Sequence, residues 1–217
     1  MDHAPYPPRS SKNAFIALMG IVLILLLSPA AFADHRASAP ASPELAKRVK
    51  TRMIDAFGPK CETEYEPNRT EVFSPFYKGA PRLVRTWCVL GVYQLHSLHF
   101  LWWPDGRLEV LPFAVPVYRH RLEKKGSAQH TVIEEIEGFR TVFDLVGAKY
   151  DPRTHTIQSF YLQRGVGDAI TMGRWRWRGD DGFVLEHFEA DHSFDGVLTP
   201  TVVYSLENPD KSAAKKK

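Results

Sequence analysis

The stretch Met172–Ala190, MGRWRWRGDDGFVLEHFEA, decides the fold. Arg174, Trp175, Arg176, Trp177 and Arg178 alternate charge with indole, the period of an extended strand whose successive side chains point to opposite faces. Gly179-Asp180-Asp181-Gly182 is a turn signal, and Phe183–Ala190 resumes an apolar run. The two runs read as an antiparallel hairpin with its tryptophans turned to a core. A three-residue loop, Asp180-Asp181-Gly182, with positive φ at Gly182, sets Trp177 opposite Leu185 and Arg176 opposite Glu186. Glu186 and Glu189 then face the arginines and neutralise them.

Working outward, Thr156–Gln163 alternates like a strand after the turn Tyr150–His155, and Thr201–Leu206 is a last strand. Upstream, Glu71–Phe76, Leu83–Leu90 and Val92–Trp103 are rich in β-branched and aromatic residues. Pro104-Asp105-Gly106 turns the chain into Leu108–Val117, a returning strand that Pro112 and Pro116 confine to an edge or break. Arg119–Gly138 is charged and poorly patterned and reads as a long loop with a short strand near Val132; Phe139–Val146 reads as another strand. Before all of this stands a helix. Ser42 is its N-cap, with Pro43 and Glu44 in the first turn and Leu45, Val49, Met53 and Phe57 on one stripe; Gly58-Pro59 ends it. The fold class is mainly β: a single antiparallel barrel- or sandwich-like domain, residues 42–208, that begins with one short N-terminal helix. Residues 209–217 read as a disordered tail.

The first 33 residues read as a signal peptide. Arg9 and Lys12 form a basic start, Ala14–Leu27 carries no charge, and Ala31-Phe32-Ala33 is a small-x-small cleavage site. The apolar run falls short of the roughly 20 residues a membrane-spanning helix needs. Residues 34–41, rich in Ala, Ser and Pro, read as a flexible lead-in. Of 28 basic and 25 acidic residues, cleavage removes Arg9, Lys12 and Asp2, leaving 26 and 24. So even a balance argues against a nucleic-acid binder, whose surface is strongly basic.

Four features invite a chemical reading. Arg164-Gly165-Val166-Gly167-Asp168 reads as a tight bulged turn stapled by its own Arg–Asp pair, or else as a ligand loop. The arginines of the strand, Arg174, Arg176 and Arg178, form a candidate basic face for a polyanion or sugar. His96 and His99, three apart on a strand, point to opposite faces and share no metal. Asp191–Gly196 resembles the start of a calcium loop, but its twelfth position is Val202 rather than an acid. No metal set, cofactor motif or nucleophile–base set emerges.

Two stretches resemble an uncharacterised family of exported proteobacterial proteins, domain of unknown function 1176. One is Trp87-Cys88-Val89-Leu90-Gly91-Val92-Tyr93. The other runs from Tyr150-Asp151-Pro152 through Thr154, Ile157, Ser159-Phe160 and Arg164-Gly165-Val166-Gly167-Asp168 to Trp175, Trp177 and Phe183. The resemblance covers about the last two thirds of the mature chain, judged by motif order. It departs at Ala169, where the family commonly has Cys, so a second disulfide of the family is absent. What it implies is export and fold type, since the family has no established activity.

The function that follows is a non-catalytic periplasmic or secreted β domain that binds or protects an envelope component. No cofactor, no nucleic acid and, after cleavage, no membrane span enter this reading. Two others stay open: an envelope hydrolase using Asp168 with a distant histidine, His155 or His187, and a polyanion- or sugar-binding module using Arg174, Arg176 and Arg178. Two cysteines in an exported chain, Cys61 and Cys88, are expected to form a disulfide. In the chain-entropy model such a bridge stabilises by roughly 3–4 kcal/mol. Mass spectrometry of the mature, unreduced protein should show a mass lower by two hydrogens than the reduced form, and two alkylatable thiols would refute the bridge.

Overall fold

In the computed structural model, residues 38–57, 69–90 and 94–207 are described. The expected leader with its cleavage site near Ala33, the Gly58-Pro59 helix stop, Cys61 and the 209–217 tail lie outside these residues. Two antiparallel sheets pack face to face, and a helix covers the outer face of the first. The first sheet has the order β1 (Ser38–Pro40), β2 (Glu71–Pro75), β3 (Arg82–Leu90), β4 (Leu95–Trp102), β5 (Leu108–Val110), with β8 (Asp144–Val146) also paired to β4. The second runs β13 (Thr201–Ser205), β12 (Phe183–Asp191), β11 (Ile170–Trp177), β10 (Thr156–Leu162), β9 (Lys149–Asp151). Among the described residues, β6 (Phe113–Lys125) and β7 (Ala128–Val142) pair only with each other. The sheets do not close into a barrel, so the arrangement is sandwich-like. All the described residues belong to one compact unit, and no helix among them is long and apolar enough to cross a membrane.

The helix forms as its sequence dictates. α1 spans Pro43–Phe57, and the Leu45 amide donates to Ser42 Oγ at 3.3 Å, the expected cap. Its buried stripe, Leu45, Val49 and Met53, packs on Val84, Cys88, Leu98, Phe100 and Leu108 of the first sheet. Alternation along β3 and β4 sends the neighbouring residues the other way. Leu83 and Leu101 join Phe73, Ile157, Trp175, Leu185 and Val203 in the core between the sheets.

Four expectations need correction. Ser38–Pro40, placed in a flexible lead-in, is a strand paired with β2. Arg119–Gly138 is no loop: it belongs to a continuous hairpin with the tight turn Gly126-Ser127 between Lys125 and Ala128. Gly126 takes φ +66, as the first position of a II′ hairpin turn requires. The charges hid this hairpin, because much of both its faces is wet. Cross-strand ion pairs, Arg119 with Glu135 and Glu137 and Arg121 with Glu134, stand where apolar alternation would have shown. Phe139–Val146 is split by a bend at Phe143 into the end of β7 and the separate β8.

The β11–β12 hairpin exists, but with another register. Trp177 lies opposite Phe183 and Arg176 opposite Val184. The Arg178 amide donates to the Gly182 carbonyl at 2.8 Å, so the loop is Gly179–Asp181, while Gly182 does take positive φ, +70. This register packs Phe183 against both Trp177, 5.6 Å between ring centres, and Phe76, 5.9 Å. It also leaves β12 one residue too long, and a bulge beside Arg174 and Trp175 takes up the extra residue, Glu186.

A polar row crosses the first sheet. Glu71 lies opposite Arg85, and Arg85 opposite His99. Arg85 pairs with Glu71 and donates to the Ala148 carbonyl at 2.9 Å. His99 is fully buried, its ring edge-on to Phe113, and neither ring nitrogen has a hydrogen-bond partner. Burial, then the Arg85 charge, push its pKa down to about 3. A group depressed in the folded state takes up its proton only on unfolding, so stability is intact above the unfolded value of about 6.5 and drains as pH falls towards 3. The loss should approach about 1.4 kcal/mol per pH unit. Chemical denaturation across that window should give a shallower decline for His99→Leu than for wild type; equal slopes would remove His99 as the cause.

Candidate functional site

β11 turns Trp175 and Trp177 inward and Arg174, Arg176 and Arg178 outward, as the alternation demands. The bulged Glu186 meets all three. Arg176 Nε lies 2.6 Å and Arg178 Nη2 2.8 Å from its Oε1, and Arg174 Nε lies 3.4 Å from its Oε2 without a hydrogen bond. Burial works to raise the Glu186 pKa, but the hydrogen bond and charge of Arg176, then Arg174 and Arg178, outweigh it and the net direction is down. Glu189 does not share the task expected of it, pairing with His187 at 2.7 Å instead. Three guanidiniums therefore surround one carboxylate.

Beside them the outer face of the second sheet dips into a depression of about 260 Å³, lined by Lys149, Tyr150, Asp151, Thr154, Thr156, Gln158, Arg174 and Arg176. The register makes this group: Thr156 stands opposite Arg176, Gln158 opposite Arg174, and Lys149 opposite Gln158. Tyr150 hydrogen-bonds His155 Nδ1 at 3.0 Å, and burial, then Asp151, raises its pKa. Asp151 is held below the usual carboxylate range chiefly by the Arg153 amide, which it caps within the Tyr150–His155 turn. Lys149 and Gln158 were not singled out from sequence, because only the strand register carries them to the arginines. A larger cleft of about 670 Å³, between α1 and β5, carries interleaved signs: Lys47, Arg48, Arg52 and Arg107 against Glu44, Asp55 and Glu109. It offers no single charge to a ligand.

The Arg164–Asp168 segment is a stapled turn. The Arg164 guanidinium binds Asp168 through two nitrogens, Nε at 2.7 Å from Oδ1, and the Gly167 amide donates to the Arg164 carbonyl at 3.1 Å. Gly167 has φ +76, the positive region that favours glycine. Asp168 is buried and also accepts the Gly196 amide at 2.8 Å, and the Arg164 hydrogen bond holds its carboxyl well below the usual range. Its oxygens are thus committed to a guanidinium and an amide. His155 and His187 are occupied elsewhere, with Tyr150 and Glu189, so the structure does not join either to Asp168 as an acid–base pair.

The other histidines settle as follows. His96 Nδ1 lies 2.8 Å from Asp144 at the surface, while His99 is in the core, so the two do not converge. Asp191–Gly196 is a capped turn: Asp191 accepts the Ser193 and Thr199 amides at 2.9 and 2.6 Å. His192, unremarked in the sequence, stacks on His120 at 4.3 Å and bonds Tyr118 OH and Gln163 Nε2. Burial, then His120, lowers its pKa. Among the described residues no group of three or more His, Cys, Asp or Glu is placed to hold a metal.

No family model, curated protein or solved structure matches this chain.

The staple predicts its own mutational signature. Asp168→Ala strips the partner from Arg164 and from the Gly196 amide, so thermal melts should shift down while any ligand binding by the folded protein persists. Gly167→Val should be worse, because a β-branched residue resists φ +76. An unshifted melt for Asp168→Ala would count against the structural account.

Proposed function

We propose that the chain is an exported member of domain of unknown function 1176, a periplasmic or secreted β domain without catalysis, whose second sheet binds an anionic component of the cell envelope. One observation carries the reading: Arg174, Arg176 and Arg178 share the single carboxylate of Glu186, and the first two line, with Lys149 and Gln158, one depression. A cluster with more cations than anions is completed by an anionic ligand, and forked guanidiniums suit a carboxylate or a phosphate. Thr154, Thr156 and Gln158 supply neutral hydrogen-bonding groups beside them. Cleavage of the leader near Ala33 belongs to this reading, as does a Cys61–Cys88 bridge. Burial of Cys88 on β3, and the lack of any free cysteine among the described residues, support the bridge. The hydrolase alternative loses ground because Asp168 is engaged on both oxygens.

Titration calorimetry with tripolyphosphate and with a short galacturonate oligosaccharide tests the proposal on the mature protein. The double variant Arg174→Gln/Arg178→Gln leaves Arg176 to hold Glu186. It should bind at least one probe about tenfold more weakly, the worth of one charge-assisted hydrogen bond. Binding of wild type should weaken as salt is raised. Equal affinities for wild type and variant, or no binding of either probe, would overturn the reading.

A further inference from the structure

We infer that the loops 164–168 and 194–198, together with the tip of the β6–β7 hairpin, form a docking surface for an anionic phospholipid bilayer. The inference goes beyond the arginine face and uses none of its residues. It rests on export only for which membranes the protein meets.

The three segments are tied together by polar contacts. Arg164 reaches from its turn to the Phe194 carbonyl at 2.8 Å, and Asp168 accepts the Gly196 amide. Asp195 accepts the Gln129 amide of the hairpin at 2.6 Å and the Val197 amide of its own loop at 2.9 Å. The His192 amide donates to Thr131 Oγ1, also on the hairpin. The carboxylates of both loops are therefore turned inward onto amides and a guanidinium.

What these segments turn outward is apolar. Val166 is 76% exposed, Val197 49%, Leu198 47% and Phe194 44%. Leu122, also exposed, lies opposite Thr131 on the hairpin, and cross-strand partners share a face, so it points to the side where Thr131 meets His192. Phe194 has φ +54, a conformation that costs a side chain with a Cβ. Its carbonyl bond to Arg164, and the guanidinium 5.3 Å from its ring, hold it there. Strain of this kind, retained to keep an aromatic ring at the surface, marks a site of interaction.

The occupant follows from the charge beside this apolar cluster. Lys124 and Lys125 are exposed at the hairpin tip, and Lys124 stands opposite Gln129, the residue tied to Asp195. Apolar side chains on turns enter the boundary of headgroups and acyl chains, and lysines at their rim are drawn to anionic lipid. The amides of Gly167, Gly196 and Val197 are met internally, which lowers the cost of leaving water.

Co-sedimentation of the mature protein with vesicles of phosphatidylethanolamine and phosphatidylglycerol, and with vesicles of phosphatidylcholine alone, tests this. Wild type should sediment with the anionic vesicles and much less with the neutral ones. Val166→Ser/Val197→Ser/Leu198→Ser, all at exposed positions, should melt like wild type and bind about tenfold or more weakly, as expected for the apolar area withdrawn. Lys124→Gln/Lys125→Gln should lose the preference for anionic lipid. Arg174→Gln/Arg178→Gln should bind vesicles like wild type, which separates this surface from the arginine face. The inference is overturned if wild type ignores both vesicles. It is equally overturned if only the arginine variant loses binding, or if the serine substitutions abolish a dimer and leave vesicle binding untouched.

Discussion

The indole of Trp175 is the contact on which the two sheets and the long hairpin depend. It is buried at the centre of the inter-sheet core and donates Nε1–H to the Ala114 carbonyl of β6 at 2.9 Å. Phe113, the residue before, meets the same ring edge-on at 5.5 Å. The ring also folds back over Gly173, two residues earlier on the same face; a Cβ there would fall 2.2 Å from it. Glycine is thus the residue that lets this rotamer exist. The donor has found a backbone acceptor in the core, without which burial of the indole would cost about 1–3 kcal/mol. Since β6 and β7 pair only with each other, side-chain anchors of this sort are what dock the hairpin on the body.

Two carboxylates show how the same chemistry gives a closed staple in one place and an open site in another. Asp168 meets one guanidinium and one amide, and its charge is matched. Glu186 meets three guanidiniums, and a bulge is what lets one acid reach them all. Had the strands met in the expected register, without a bulge, Glu186 would stand opposite Arg176 alone. The irregularity in the ladder therefore gathers three guanidiniums, already on one face by alternation, around one carboxylate.

The helix was legible because cap, stripe and length agree, and the strands around Trp175 were legible because alternation there is strict. The hairpin β6–β7 was not, since Arg119, Arg121, Glu134 and Glu135 satisfy one another across the strands and mimic loop composition. The register of β11–β12 depended on Phe183 packing against Phe76, a residue more than a hundred positions away. Of the candidate site, the arginine face and the Arg164–Asp168 staple could be read from spacing. Lys149 and Gln158 could not, because cross-strand pairing places them, and Phe194 could not, because its φ is set by a contact from another loop.

The polar row Glu71–Arg85–His99 looks like a liability in a sheet buried on both faces, yet it constrains the pairing of three strands at once. Apolar residues occupy both faces of β3 and β4, so a slip of one residue would exchange one set of hydrophobics for another at small cost. For Arg85 the same slip is expensive. It would carry the guanidinium from Glu71 and the Ala148 carbonyl to the face where Val49 and Met53 of α1 pack, leaving a buried charge unpaired. Thr70 and Thr86, whose hydroxyls lie 2.9 Å apart in the interior, act in the same sense. In a sheet whose two faces both carry apolar residues, these few polar groups hold the register, and the register in turn settles which side chains reach each surface.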